Sequence, residues 1–149
     1  MASFVRVDNN ILGLPLTFFN YQIANLVLNY PVVGGIGMIE KVYQFTDTND
    51  FIMEKIIDDE HVNINHIVVA PGGSVPVHVA NSNVYQIIVR GKISLRLEEE
   101  PVAHYPTGSI VAIPFNTKMD IRNEGSETLE FFVVKAPNPR SMPATKKVQ

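Results

Sequence analysis

The sequence contains no cysteine. That excludes disulfides and thiolate metal sites and fits a reducing compartment. It lacks a basic excess: 12 Lys and Arg stand against 15 Asp and Glu, for a formal net charge of −3. A nucleic-acid surface needs a basic stripe, so no nucleic-acid partner is expected. It also lacks an unbroken apolar run. Residues 11–39 are apolar in tone but are interrupted by Pro15, Asn20, Gln22, Asn25, Asn29 and Pro31, whereas a spanning helix needs about 20 mostly apolar residues. The start carries only Arg6, followed by Asp8, where a secretion signal would be basic. No membrane partner is expected, and the expected location is cytoplasmic. Ser-His-Asp, zinc-protease, P-loop and dinucleotide fingerprints are missing. Gly34-Gly35-Ile36-Gly37 is too short and misplaced to cradle phosphate.

What is present is a β-rich pattern in a 149-residue chain, 46% of it apolar, enough for one core. Three regions are expected. Residues 1–37 form an Asn-rich, apolar extension, with one irregular helix candidate at 17–30. Residues 38–136 form a barrel. Residues 137–149, with Pro137, Pro139 and Pro143, read as a flexible tail with almost nothing to bury. Two origins stay open for the extension. It is the product of an upstream start choice, with Met38 the working start, or it is an arm that packs on a partner subunit.

Within the barrel region, strands are expected at 41–46, 51–57, 62–69, 74–79, 84–90, 93–97, 102–105, 109–113, 119–123 and 129–134. Pro71-Gly72-Gly73, Gly91-Lys92 and Glu124-Gly125 mark turns between them. Ile93, Leu95 and Leu97 alternate with Ser94 and Arg96, the period-two pattern of a half-buried strand. Many short, evenly spaced strands point to a sandwich or barrel. Val62, Ile64, His66 and Val68 share one strand face, and their apolar company predicts that His66 points inward. Val84, Gln86 and Ile88 likewise predict an inward Gln86. His61 and His104 read as surface or turn residues. The acidic runs Asp58-Asp59-Glu60 and Glu98-Glu99-Glu100 read as solvated turns without the ligand spacing of a calcium loop.

From Gly72 to Gly91 the chain resembles the first motif of the cupin family. Gly72 fits, His78 follows six positions later, and Gly91 closes the motif. Gly108, Pro114 and Asn123 resemble the second motif, with 16 residues between the two. The resemblance implies an all-β double-stranded β-helix, the cupin or jelly-roll barrel. It also implies pairing into a homodimer, and a metal held by three histidines and one carboxylate. Of those four positions the chain keeps only His78. Ala80, Val84 and Met119 stand at the other three, and Asn116 replaces a usual glycine. Alanine and valine cannot coordinate, and a thioether is a poor ligand for hard metals.

The ordinary metal centre is therefore not expected, and no cofactor is assigned. A divalent ion on a rebuilt set of His78 with His66 and Gln86 is the alternative. The plainer reading is that these groups bond one another and ordered water in a polar pocket. The expected ligand pocket comprises His66, His78, Gln86, Met119, Phe115 and Tyr85, with Ile121 beside Met119, and with Asn81, Asn83 and Tyr85 near the mouth by family analogy. His78 is open to two readings, an acid–base or anion-binding group and a leftover satisfied by backbone. Two functions follow. The first is a metal-free module that binds a small, partly apolar molecule in a sensory or accessory role. The second is a metal-dependent isomerase, decarboxylase or dioxygenase acting on a small acid or sugar-like substrate. The missing ligands favour the first.

Overall fold

The structure is a computed structural model that describes residues 40–147. The expected extension 1–37, its helix candidate and the two open origins lie outside the described residues. Among those residues are nine strands: β1 (Ile52–Asp58), β2 (Asn63–Val69), β3 (Ser74–Val79), β4 (Val84–Arg90), β5 (Lys92–Leu97), β6 (Ala103–Pro106), β7 (Ile110–Ile113), β8 (Lys118–Arg122) and β9 (Leu129–Lys135). They form two antiparallel sheets. One has five strands in the order β1-β2-β9-β4-β7, and the other has four in the order β3-β8-β5-β6. Apart from the hairpins β1–β2 and β5–β6, neighbours in each sheet come from distant parts of the chain, so neither sheet is assembled from local hairpins alone. Alternation turns one face of every strand inward. Val75 of β3, Ile88 of β4, Ile93 and Leu95 of β5, Ile121 of β8 and Phe131 of β9 are all buried in one core.

The strand expected at 41–46 is not formed. Residues 41–48 have no ladder and are largely exposed. They run instead as a strap onto the outer face of the five-stranded sheet. The Thr46 amide and hydroxyl donate to the two carboxylate oxygens of Glu54 at 2.7 and 3.0 Å. Arg90 donates to the Asn49 side chain and to the Thr48 carbonyl at 2.9 and 3.0 Å. Phe45 meets the rings of His66 and Phe132 at centroid distances of 4.7 and 5.0 Å. The aromatic and apolar residues at 41–46 that suggest a strand serve to cover a sheet face.

Asn123 joins the two sheets. Its side-chain amide is buried and donates to the carbonyls of Val69 and Glu127 at 2.9 and 2.8 Å, while its oxygen accepts from the Gly125 amide. Its backbone bonds both Gly72 and Gly73. The turn after β2, the end of β8 and the loop before β9 thus converge on one side chain. Gly91, between β4 and β5, has φ +73°, and an added Cβ would lie 2.6 Å from the Thr128 carbonyl oxygen. Gly108, between β6 and β7, has φ +88° but open space around it.

Gly91→Ala and Gly108→Ala separate these two effects. Both bear the left-handed backbone penalty, and only Gly91 adds a clash with main chain. Urea unfolding should show a loss of about 1–2 kcal/mol for Gly108→Ala and about 2–4 kcal/mol for Gly91→Ala. Equal losses would mean that the close approach at Thr128 is relieved by small movements.

Candidate functional site

The registers of three adjacent strands set the inner wall of the barrel. β9 pairs with β2 on one side and β4 on the other, which aligns three inward rows. The innermost is Ile67, Phe131 and Ile88. The next is Asn65, Val133 and Gln86. The outermost is Asn63, Lys135 and Val84. The wall therefore grades from hydrocarbon to polar groups toward one end. Facing it, His78 of β3 and Met119 of β8 stand opposite each other in the second sheet. Between the walls lies a cavity of about 100 Å³ lined by His78, Ala80, Val84, Gln86, Met119 and Lys135, among others.

Gln86 is 0% exposed, and neither its side-chain nitrogen nor its oxygen has a hydrogen-bond partner among the described residues. An unpartnered buried amide costs about 1–3 kcal/mol. His78 is half-buried, and its Nδ1 lies 2.8 Å from the Pro76 carbonyl oxygen. The carbonyl can only accept, so Nδ1 carries a proton, and Nε2 is the nitrogen left with bonding capacity. Burial pushes the Lys135 ammonium below its ordinary value, and the nearby Lys55 charge adds to the effect.

A groove beside the cavity is built in part by Asn138, Pro139 and Arg140. Residues 137–147, expected to have almost nothing to bury, place Asn138 at 2% exposure. Its side-chain amide donates to the Asp58 carboxylate and to the Asp59 carbonyl at 2.9 and 2.8 Å. Arg140 forms an ion pair with Asp58 at 2.6 Å, and Lys55 does so at 2.9 Å. Arg140, Lys55 and Asn138 together hold the Asp58 carboxyl well below the usual carboxylate range. A surface groove lined by Lys55, Asp58, Asn138 and Arg140 shares Asn65, Asn81 and Lys135 with the inner cavity.

The four positions that the cupin resemblance assigns to metal do converge here, as His78, Ala80, Val84 and Met119. Their donor set is one imidazole, two hydrocarbons and one thioether. It does not fit a centre of three imidazoles and a carboxylate. Three further expected pocket residues are not found on the cavity wall. Tyr85 is exposed on the outer face of β4, as the inward direction of its neighbours Val84 and Gln86 requires. Phe115 lies in the loop after β7, where its amide donates to Asn83.

His66 is the larger correction. It is 0% exposed but lies on the outer face of its sheet, paired in register with Glu54 and Phe132, while Ile67 enters the core. Both faces of β2 are covered, one by the core and one by the strap, so alternation alone does not tell inside from outside. Its Nδ1 lies 2.9 Å from Glu54 and its Nε2 3.0 Å from Glu130. With both carboxylates ionised, this pattern needs both ring nitrogens to donate. Glu130 is in turn paired with Arg90 at 3.1 Å. Lys135 was missed because the last strand was expected to end at Val134. Extending the alternation of Leu129, Phe131 and Val133 by one step finds it.

Burial works against the Glu54 carboxylate, but bonds from the Thr46 amide, His66 and the Thr46 hydroxyl outweigh it and lower its pKa. A lowered carboxyl contributes stability that is present above its unfolded pKa and is lost as pH falls through the folded one. Urea unfolding between about pH 6 and about pH 3 should therefore show a smaller acid-side loss for Glu54→Gln than for the parent. At neutral pH the variant should be less stable by about 1–2 kcal/mol.

No family model matches the chain. A relative, the uncharacterized protein MJ0764 of Methanocaldococcus jannaschii, is 49% identical over 108 residues, which are 72% of this chain and 93% of that protein. A crystal structure of an RmlC-like cupin family protein with a double-stranded β-helix fold, MJ0764 of the same organism, is 50% identical. It superposes with a TM-score of 0.67 over 70% of this chain and 96% of that one. A protein with a double-stranded β-helix domain from Klebsiella pneumoniae is 18% identical with a TM-score of 0.58, covering 70% of this chain and 92% of its own. A cupin domain from Bordetella pertussis is 17% identical with a TM-score of 0.52, covering 62% and 98%. These last two bear on the fold alone.

Proposed function

The chain belongs to the RmlC-like cupin family, with its double-stranded β-helix fold, and from that premise we propose that its barrel binds a small, partly apolar molecule without using the family's metal centre. The observation that carries this reading is Gln86. A fully buried amide with no partner, aimed into a cavity, is a standing loss of stability. A ligand that supplies the missing hydrogen bonds recovers it, and the remaining wall, from Ile67 to Met119, is suited to hydrocarbon. The donor set at the family's metal positions supports the metal-free part of the proposal. The alternative, a metal-dependent enzyme on a rebuilt set, loses one of its three residues, because His66 lies across the sheet from His78 and Gln86.

Two measurements test the proposal. Protein purified without added metal should contain no stoichiometric transition metal. A stoichiometric metal that disappears in His78→Ala would overturn the metal-free reading. In addition, Gln86→Leu should raise stability to urea by about 1 kcal/mol, because an orphaned amide is exchanged for hydrocarbon of similar size. A marked loss would mean that the amide is permanently satisfied in the unliganded protein.

A further inference from the structure

We infer that the molecule taken by this cavity is a small carboxylate with a second polar group a few bonds away, its charge on Lys135 and its second group on Gln86. The inference rests on the reading of the cavity as a binding site, and it names the class of ligand.

The first argument is charge. The groove outside the cavity is lined by three cations, Lys55, Lys135 and Arg140, against one carboxylate, Asp58. Asp58 is committed to both Lys55 and Arg140. Lys135 is the cation that reaches the inner cavity as well, and it has no ion-pair partner among the described residues. An anion entering from this end meets net positive charge and then a half-desolvated ammonium with nothing opposite it. An amine would meet repulsion. A wholly apolar guest would leave both the ammonium and the Gln86 amide uncompensated.

The second argument is spacing. Lys135 and Val133 are successive inward residues of β9, and Gln86 stands opposite Val133. Lys135 and Gln86 are therefore diagonal neighbours across one strand pair, with Cβ atoms roughly 7 Å apart. Two long side chains so placed can hold two polar groups of one small molecule. The third argument is size. Cavities of roughly 150 Å³ take benzene, so a cavity of about 100 Å³ suits a body of about four non-hydrogen atoms, with the charged end of the molecule in the groove that shares Lys135 with it. A short hydroxy- or oxo-acid meets all three conditions.

The experiment compares four probes on the full-length protein: 2-oxobutyrate, butyrate, 2-butanone and butylamine. Binding is read from the chemical shift of the Gln86 side-chain amide. The expected order is 2-oxobutyrate first, ahead of both butyrate and 2-butanone by roughly tenfold or more, with no binding of butylamine. In Lys135→Met the advantage over 2-butanone should disappear, whereas Lys55→Met should keep most of it. If 2-butanone binds the parent protein as tightly as 2-oxobutyrate, the carboxylate inference fails and the cavity reading survives. If no probe shifts the Gln86 amide, both fail. The comparison of probes on the parent protein decides the matter even if Lys135→Met does not fold.

Discussion

The parity of β9 is the constraint on which both sides of the larger sheet depend. This strand lies between β2 and β4, and its two faces do different work. Phe131, Val133 and Lys135 point inward, while Glu130 and Phe132 point out under the strap. A slip of one residue would bring Glu130 into the hydrocarbon core and carry Lys135 to the surface. Such a slip is opposed on both faces at once. Phe131 would lose its buried site, and Glu130 would lose His66 and Arg90. Cavity and strap are thus held in place by one register.

Much of the fold was legible because the strands obey simple alternation and three of the turns carry glycine at positive φ, at Gly72, Gly91 and Gly108. Ser74–Val79 and Val84–Arg90 are bounded as expected, and the other strands within the barrel differ by a residue or two at their ends. Alternation fails where both faces of a strand are covered. β2 offers apolar residues in both registers, so His66 was assigned inward on a signal that fits either direction. The segment 41–46 reads as a strand for a related reason. Phe45 has the character of a sheet residue, yet its partner is a sheet face and not a strand edge.

The site was legible in part. The family positions His78 and Met119 and the inward Gln86 lie on the cavity wall. Tyr85 was assigned by analogy against the alternation of its own strand. Lys135 lies one residue past the expected end of the last strand, and Asn138 lies past the expected end of the barrel, where no periodic pattern remains to read. Asn138 is polar, lies among prolines and gives no sign of burial in sequence. Its burial is set by Asp58 and Asp59, some 80 residues earlier in the chain. Long-range polar contacts of this kind leave no local trace.

The Asn138–Asp58 contact has one further consequence. The buried core needs no residue of 137–147, whereas Asn138, Pro139 and Arg140 line one side of the groove that shares Asn65, Asn81 and Lys135 with the cavity. Substitutions at residues 138–140 would therefore change the charge and shape of that groove with the central packing untouched.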